Sequence, residues 1–286
     1  MPIFLTYDTE GVQDGAGAQY QRVVALLALS RRLALGFEPA RIDAISNQGY
    51  LAAKTRRHDP LYAEKWRRFL NLGGGADTDP VPATWDLVLC PRVLLPEHLE
   101  EAGRVPQSRV LVRTVLPYKI VDQAPEMYEL IQEELRSWYA SSPKPALYFQ
   151  PEMLNVAVHV RRGDLMRGPH RSRVIPNARY VRAMSEVRAL FPNRAVAFHI
   201  YSEGDERAGR KEFAEFLRIS DAALHLNEDV FSTFHHLVSA DVLILSRSSF
   251  SYLAGIYSRG RVLYFPFMHP PLPKWLRLSP DGLLYG

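Results

Sequence analysis

The chain has 286 residues, 35 Lys+Arg against 31 Asp+Glu, and 47% hydrophobic residues with 11% aromatics. That length suits one large or two moderate domains, and the apolar and aromatic content excludes disordered, collagen-like and coiled-coil chains. One cysteine, Cys90, excludes an intrachain disulfide framework and a multi-cysteine zinc site, and the formal charge of +4 fits many anionic partners without choosing one. The longest apolar run, Val23–Leu29, is far short of a bilayer span, and Met1-Pro2-Ile3 carries no leader pattern, so a soluble, cytoplasmic chain without a transmembrane segment is expected.

Ile3–Tyr7 reads as a strand. A small-residue loop, Asp14-Gly15-Ala16-Gly17-Ala18-Gln19, leads into a helix over Ala18–Leu35, with Gly36 placed as its C-cap. The loop lets a backbone approach a ligand closely, but it is not the dinucleotide fingerprint, because Tyr20 stands where GxGxxG requires glycine. Ile42–Ser46, Leu87–Leu89 and Val110–Val112 read as strands, Pro60–Leu70 and Pro125–Tyr139 as helices, and Gly73-Gly74-Gly75 as loop. Ser141-Ser142-Pro143-Lys144-Pro145 is the best linker. Beyond it strands at Val156–Val160, Ala195–Tyr201, Ala223–Leu226, Asp241–Leu245 and Arg261–Phe265 alternate with helices at Asn177–Leu190, Arg207–Arg218, Val230–Ser239 and Ser249–Ser258. This alternation predicts a parallel sheet covered on both faces, and the whole chain reads as two α/β domains with a ligand cleft at the carboxyl ends of strands.

The densest chemistry lies at His159-Val160-Arg161-Arg162-Gly163-Asp164, at the carboxyl end of a predicted buried strand. Two guanidiniums there can clamp a phosphate bidentately, Gly163 permits a sharp exit, and Asp164 can pair with one arginine. Between His159 and Arg188 there are eight arginines and two acids, Asp164 and Glu186. Ser246-Arg247-Ser248-Ser249-Phe250 separates a strand from a helix, where serines cap and free N–H groups attract anions. Ser202, Glu203 and Asp205 end another strand and suit a base or ribose hydroxyls. Asp77-Thr78-Asp79 has the spacing of a divalent-metal motif but sits in a Gly/Pro-rich loop, and adjacent His235-His236 diverge on a helix, so no metal site is expected.

The run from His159 to Asp164 resembles the HxRRxD signature of the α1,2-, α1,6- and protein O-fucosyltransferases. The run Ala240–Phe250 resembles the later motif of the same group, and the spacing between them also fits. The likeness covers residues 155–265 and, more loosely, 1–35. It implies a GT-B glycosyltransferase with two Rossmann-like domains facing each other across a cleft. Residues 1–150 would take the acceptor and 151–286 the nucleotide-sugar donor, with the tail 266–286 free to pack back on the first domain. It further implies inversion without a bound metal or other cofactor. In that reading Arg161 grips the donor β-phosphate, with Arg162 beside it, and His159 contacts the nucleotide. Gly15, Ser202, Glu203, Ser248, Ser249 and Phe250 line the donor, and Asp14 is the general base, with Asp8, Glu10, Asp77 and Asp79 as competitors. Where the α1,6 members carry an acidic guanine-binding residue this chain has Thr233, which leaves the donor open between GDP-fucose and a UDP-linked sugar such as UDP-xylose, with Glu228 or Asp229 as substitute acids. The acceptor is a glycan or glycoconjugate hydroxyl. The alternatives are a non-catalytic nucleotide- or phosphate-binding module using the same arginines, and a nucleic-acid binder. The single aromatic between Arg161 and Arg188, Tyr180, speaks against the second.

Overall fold

The structure, a computed structural model, describes residues 3–46, 59–73, 84–105, 108–166, 171–205 and 211–285. Asp77 and Asp79, the side chain of Asp164, and the start of the helix expected from Arg207 lie outside that description. The chain divides into two compact units, the first ending at Pro143 and the second running from Lys144. Each is α/β with a parallel sheet, as the alternating pattern predicts.

In the first unit the order is β1 (Ile3–Tyr7), α1 (Ala16–Arg32), β2 (Gly36–Phe37), α2 (Tyr62–Leu70), β3 (Leu87–Leu89), α3 (Pro96–Gly103), β4 (Val110–Thr114), α4 (Tyr118–Val121), a 3-10 stretch Pro125–Ile131 and α5 (Gln132–Ala140). Its sheet runs β2-β1-β4-β3, with β1 and β4 in register from Ile3↔Val110 to Tyr7↔Thr114. Helix α1 is the core element, buried along nearly its whole length from Ala16 to Ser30, because Arg22 is its one charged residue before Arg31. The expected strand Ile42–Ser46 does not form; β2 takes its place, two residues long. Gly36 is therefore not a helix cap. It lies against Phe4, whose ring is 2.3 Å from where a Cβ would stand. The left-handed residue closing α1 is Ala34, at φ 52°, with Leu35 N donating to Ser30 O and Ala34 N to Arg31 O, the two bonds of a Schellman cap.

The second unit runs β5 (Leu154–Val160), α6 (Asn177–Leu190), β6 (Val196–Ser202), α7 (Ala214–Leu217), β7 (Ala222–Leu226), α8 (Val230–Ser239), β8 (Val242–Ile244), α9 (Ser249–Tyr257), β9 (Arg261–Tyr264) and β10 (Leu276–Arg277). The strand order is β10-β9-β8-β5-β6-β7, every pair parallel. This is the doubly wound order: the chain moves outward from β5 to β7, returns to the other side of β5 as β8, and moves outward again. β10 was not anticipated. It brings the tail into this sheet, where Trp275 packs on Tyr252 and over Gly255.

β5 and β6 are buried along all seven residues, as central parallel strands are. Alternation gives them two different faces. Leu154, Val156, Val158 and Val160 join Phe198, Ile200 and α6 residues Tyr180, Met184 and Val187 in an apolar core. The other face carries Asn155, His159, His199 and Tyr201, an unusual polar inventory for a buried sheet surface.

Candidate active site

The doubly wound order has one place where neighbouring strands send their connections in opposite directions, between β5 and β8. Ligands of such sheets bind outside the carboxyl ends of the strands there. Those ends carry the two sequence motifs, and a hydrogen bond joins them: His159 Nδ1 lies 2.7 Å from Ser246 Oγ. Ser246 is in turn fixed by Ser251 of α9, whose hydroxyl meets Ser246 N and Oγ, each at 3.3 Å. Phe250 stands against the His159 ring at 5.4 Å between centroids. Burial, reinforced by the neighbouring Arg161 charge, pushes the His159 pKa down to about 3, so the imidazole is neutral at ordinary pH. Its Nε2 has no partner among the described residues. Ser248 is the N-cap of α9 and accepts from Phe250 N at 3.2 Å, while Ser249 opens the first turn.

The two adjacent arginines part company. Arg161 is half-buried at the carboxyl end of β5. Arg162, on the opposite side of the chain, is 4% exposed. Its Nε donates to Glu212 at 2.9 Å, Nη1 to Arg161 O at 2.9 Å, and Nη2 to Ile175 O at 3.1 Å and to the Asn177 side chain. Among the described residues that accounts for four of its five N–H groups. The expected double-arginine clamp is thus corrected: strand alternation turns Arg162 inward, where it ties the loop after β5 to α6 and to Glu212. Gly163 follows at φ 47°, and a Cβ there would fall 2.6 Å from Glu203 Oε2, so glycine admits the Glu203 carboxylate to this turn. Ser202 is buried and donates to Val160 O at 2.7 Å, bonding β6 to β5.

The second motif has a structural half. Asp241 sits at the amino end of β8, away from Ser246, and its Oδ2 accepts from Asn155 N at 2.8 Å, clamping β8 to β5. The substitute acids are also committed. Asp229 caps α8 through Phe231 N and Ser232 N, both at 3.0 Å. Glu228 accepts from His225 Nδ1 at 2.9 Å and from the Tyr148 hydroxyl at 2.8 Å. These bonds belong to a layer that the sequence did not disclose. His199 Nδ1 meets His225 Nε2 at 3.2 Å, Tyr148 stacks on His236 at 3.8 Å between centroids, and Tyr148 and Tyr201 hydroxyls are 3.1 Å apart. Burial lowers the His199 pKa to about 4. The imidazole nitrogens here face one another, protein oxygens or, at His236 Nε2, the Tyr148 amide N–H, and among the described residues no group of His, Cys, Asp or Glu is arranged to hold a metal ion.

In the first unit, the loop after β1 and the start of α1 form a second polar cluster. Gln19, fully buried, donates to Asp14 O at 2.8 Å and to Ala44 O at 2.7 Å, and Ser46 N also reaches Asp14 O, so the Asp14 backbone is fixed. The Asp14 side chain is 46% exposed and pairs through Oδ2 with Arg22 at 2.6 Å. Arg22 also donates to the Tyr7 hydroxyl at 3.1 Å, whose pKa burial raises. Gly15 is the N-cap of α1, with Ser46 O 3.6 Å from its missing Cβ. Of the competing carboxylates, Asp8 is 17% exposed and lies 3.6 Å from Arg113, and Glu10 is 82% exposed and reaches the same arginine at 3.5 Å. No described helix is long and apolar enough to cross a membrane.

No protein-family model matches the chain, and no curated protein is similar to it in sequence. Among solved structures it is similar in fold to E. coli heptosyltransferase WaaC with ADP-2-deoxy-2-fluoro heptose, with a TM-score of 0.43 and 11% identity, covering 98% of this chain and 94% of that chain. A likeness of that degree concerns the course of the backbone, and no residue assignment rests on it.

Proposed function

We propose that the chain is an inverting, metal-independent glycosyltransferase of GT-B type, moving a sugar from a nucleoside-diphosphate donor to a hydroxyl of a glycan or glycoconjugate. The observation that carries this reading is the His159–Ser246 hydrogen bond, which unites two motifs distant in sequence at the switch point of a doubly wound sheet. Arg161 holds the diphosphate and neutralises the charge it gains as the sugar departs, a task a divalent ion performs in other transferases. With Ser246 donating to Nδ1, His159 presents an Nε2–H donor to the nucleotide. The first-turn amide of Ser249 adds the helix N-terminus to the phosphate cradle, Phe250 offers a ring edge, and Glu203 accepts from ribose hydroxyls. Asp14, with one carboxylate oxygen held by Arg22 and the other without a partner among the described residues, takes the proton of the acceptor hydroxyl. The donor is GDP-fucose or a UDP-sugar; the engagement of Glu228 and Asp229 elsewhere supports a base recognised without a carboxylate from that loop.

A thermal-shift screen with GDP, UDP, ADP and their common sugars tests the reading, since a ligand that binds only the folded chain raises the melting temperature. At least one diphosphate is expected to stabilise the protein and its sugar conjugate to be slowly hydrolysed. Binding with no hydrolysis or transfer supports instead a non-catalytic nucleotide-binding module.

A further inference from the structure

The arginines around the Ser246 loop differ in the company they keep. Arg162 has a carboxylate, Glu212, at 2.9 Å. Arg247 and Arg173 have none among the described residues. Arg247 is held by main-chain carbonyls alone, with Nε donating to Pro266 O at 2.9 Å and Nη1 to Ser172 O at 3.3 Å. Arg173 lies over the Phe267 ring, 5.7 Å from its centroid, with Nη2 3.4 Å from Met268 Sδ.

The two share their neighbours. Ser172, which receives Arg247, directly precedes Arg173; Pro266, which receives Arg247, directly precedes the ring beneath Arg173. Both guanidiniums therefore close on the same two short segments, the 3-10 turn Arg171–Arg173 after β5 and residues 266–268 after β9. Arg171, exposed in the same turn, adds a third positive charge. Tyr180 of α6, near enough for Arg247 to act on it, is fully buried and held neutral by that burial, so it supplies no counter-charge. Carbonyl and ring contacts fix the position of each guanidinium, and among the described residues no carboxylate neutralises it. Among the described residues Arg247 Nη2 has no hydrogen-bond partner for its two N–H groups. One guanidinium can grip a phosphate or carboxylate bidentately, and a second positioned on the same two segments adds charge to that grip. Beside it Met268, 62% exposed, and the Phe267 ring offer apolar contact for the skeleton that bears such a group.

We infer that Arg173 and Arg247 form a second anion subsite, beyond the carboxyl ends of β8 and β9, that takes a phosphate or carboxylate group of a substrate. The inference rests on the proposed transferase reading only for the origin of that group, either an anionic acceptor or the donor diphosphate.

Calorimetric titration with inorganic phosphate, on the full chain and on Arg173→Gln and Arg247→Lys, tests it. Phosphate is expected to bind the wild type and to bind each variant about tenfold more weakly, the effect of losing one charge-assisted hydrogen bond, while melting temperatures of the free proteins stay together. Repeating the titration in protein saturated with the nucleoside diphosphate that binds best separates the sources. Persistent phosphate binding assigns the subsite to an acceptor group. Its loss, together with weaker diphosphate binding by Arg173→Gln, assigns it to the donor. If no diphosphate binds but phosphate binding still depends on Arg173, the transferase reading fails and the subsite stands. Phosphate binding that is absent from the wild type, or equal in all three proteins, overturns the inference.

Discussion

Replacing Arg162 by Met separates the two arginines of the HxRRxD-like motif into their different jobs. Arg162 is 4% exposed and makes four hydrogen bonds, one of them to the Glu212 carboxylate, whose side chain is 32% exposed. Methionine restores the apolar volume of the stem but leaves Glu212, Asn177 and two carbonyls without their donor. Breaking a buried charge pair costs about 3–5 kcal/mol, and because water can reach Glu212 the lower end, about 3 kcal/mol, applies. For a unit of this size each kcal/mol moves the melting temperature by roughly 2–4 °C, so a fall of about 6–12 °C is expected by differential scanning calorimetry. Arg161→Gln, at the strand end, is expected to lower nucleotide affinity more than it lowers the melting temperature, the reverse of Arg162→Met. Glu212→Gln, added to Arg162→Met, should cost less than the sum of the single changes, because the two groups are direct partners. An Arg162→Met protein that melts like wild type while losing nucleotide affinity refutes the inward role of this side chain.

The remaining predictions concern other elements. His159 stays neutral in the fold, with its pKa near 3, but protonates in the unfolded chain near pH 6.5, so stability should fall as pH drops below about 6.5, by about 1.4 kcal/mol per pH unit for this group. His159→Asn should flatten the melting-temperature profile between pH 7 and pH 4.5, and an unchanged slope contradicts the neutral assignment. Ala34→Gly should stabilise the chain by about 1 kcal/mol in urea unfolding, because the Schellman cap of α1 holds a non-glycine residue at φ 52°. Gly163→Ala should both destabilise, by about 1–2 kcal/mol, and weaken nucleotide binding, because it strains a left-handed residue and displaces Glu203; a stable variant with full affinity removes Glu203 from the site. Asp14→Asn should slow transfer at saturating donor while leaving donor affinity unchanged; an unaltered kcat points to Asp8, Glu10, Asp77 or Asp79.

The second unit was largely legible in the sequence because its strands are continuous apolar runs, VAVHV and DVLIL, separated by helices of ordinary length, and period alone locates such elements. The first unit was harder. β2 is two residues long and exists because β1 offers it an edge, whereas Ile42–Ser46, apolar enough for a strand, finds no partner strand among the described residues. β10 escaped for the same reason, its two residues being recruited by β9. At the site, alternation puts His159 on the polar face of β5 opposite Val160, and Arg162, two residues beyond Val160, is buried against Glu212 and Asn177. The imidazole and tyrosine layer under Tyr148 was not readable, because His199, His225 and His236 come from three elements that only the tertiary fold assembles.

A crystal structure with the best-binding nucleoside diphosphate tests the central claim most directly. The phosphates should lie against Arg161 and the first turn of α9, outside the carboxyl ends of β5 and β8, with the nucleotide in reach of His159 Nε2. Phosphates found in the first unit, or at the β7 edge of the second, contradict the account.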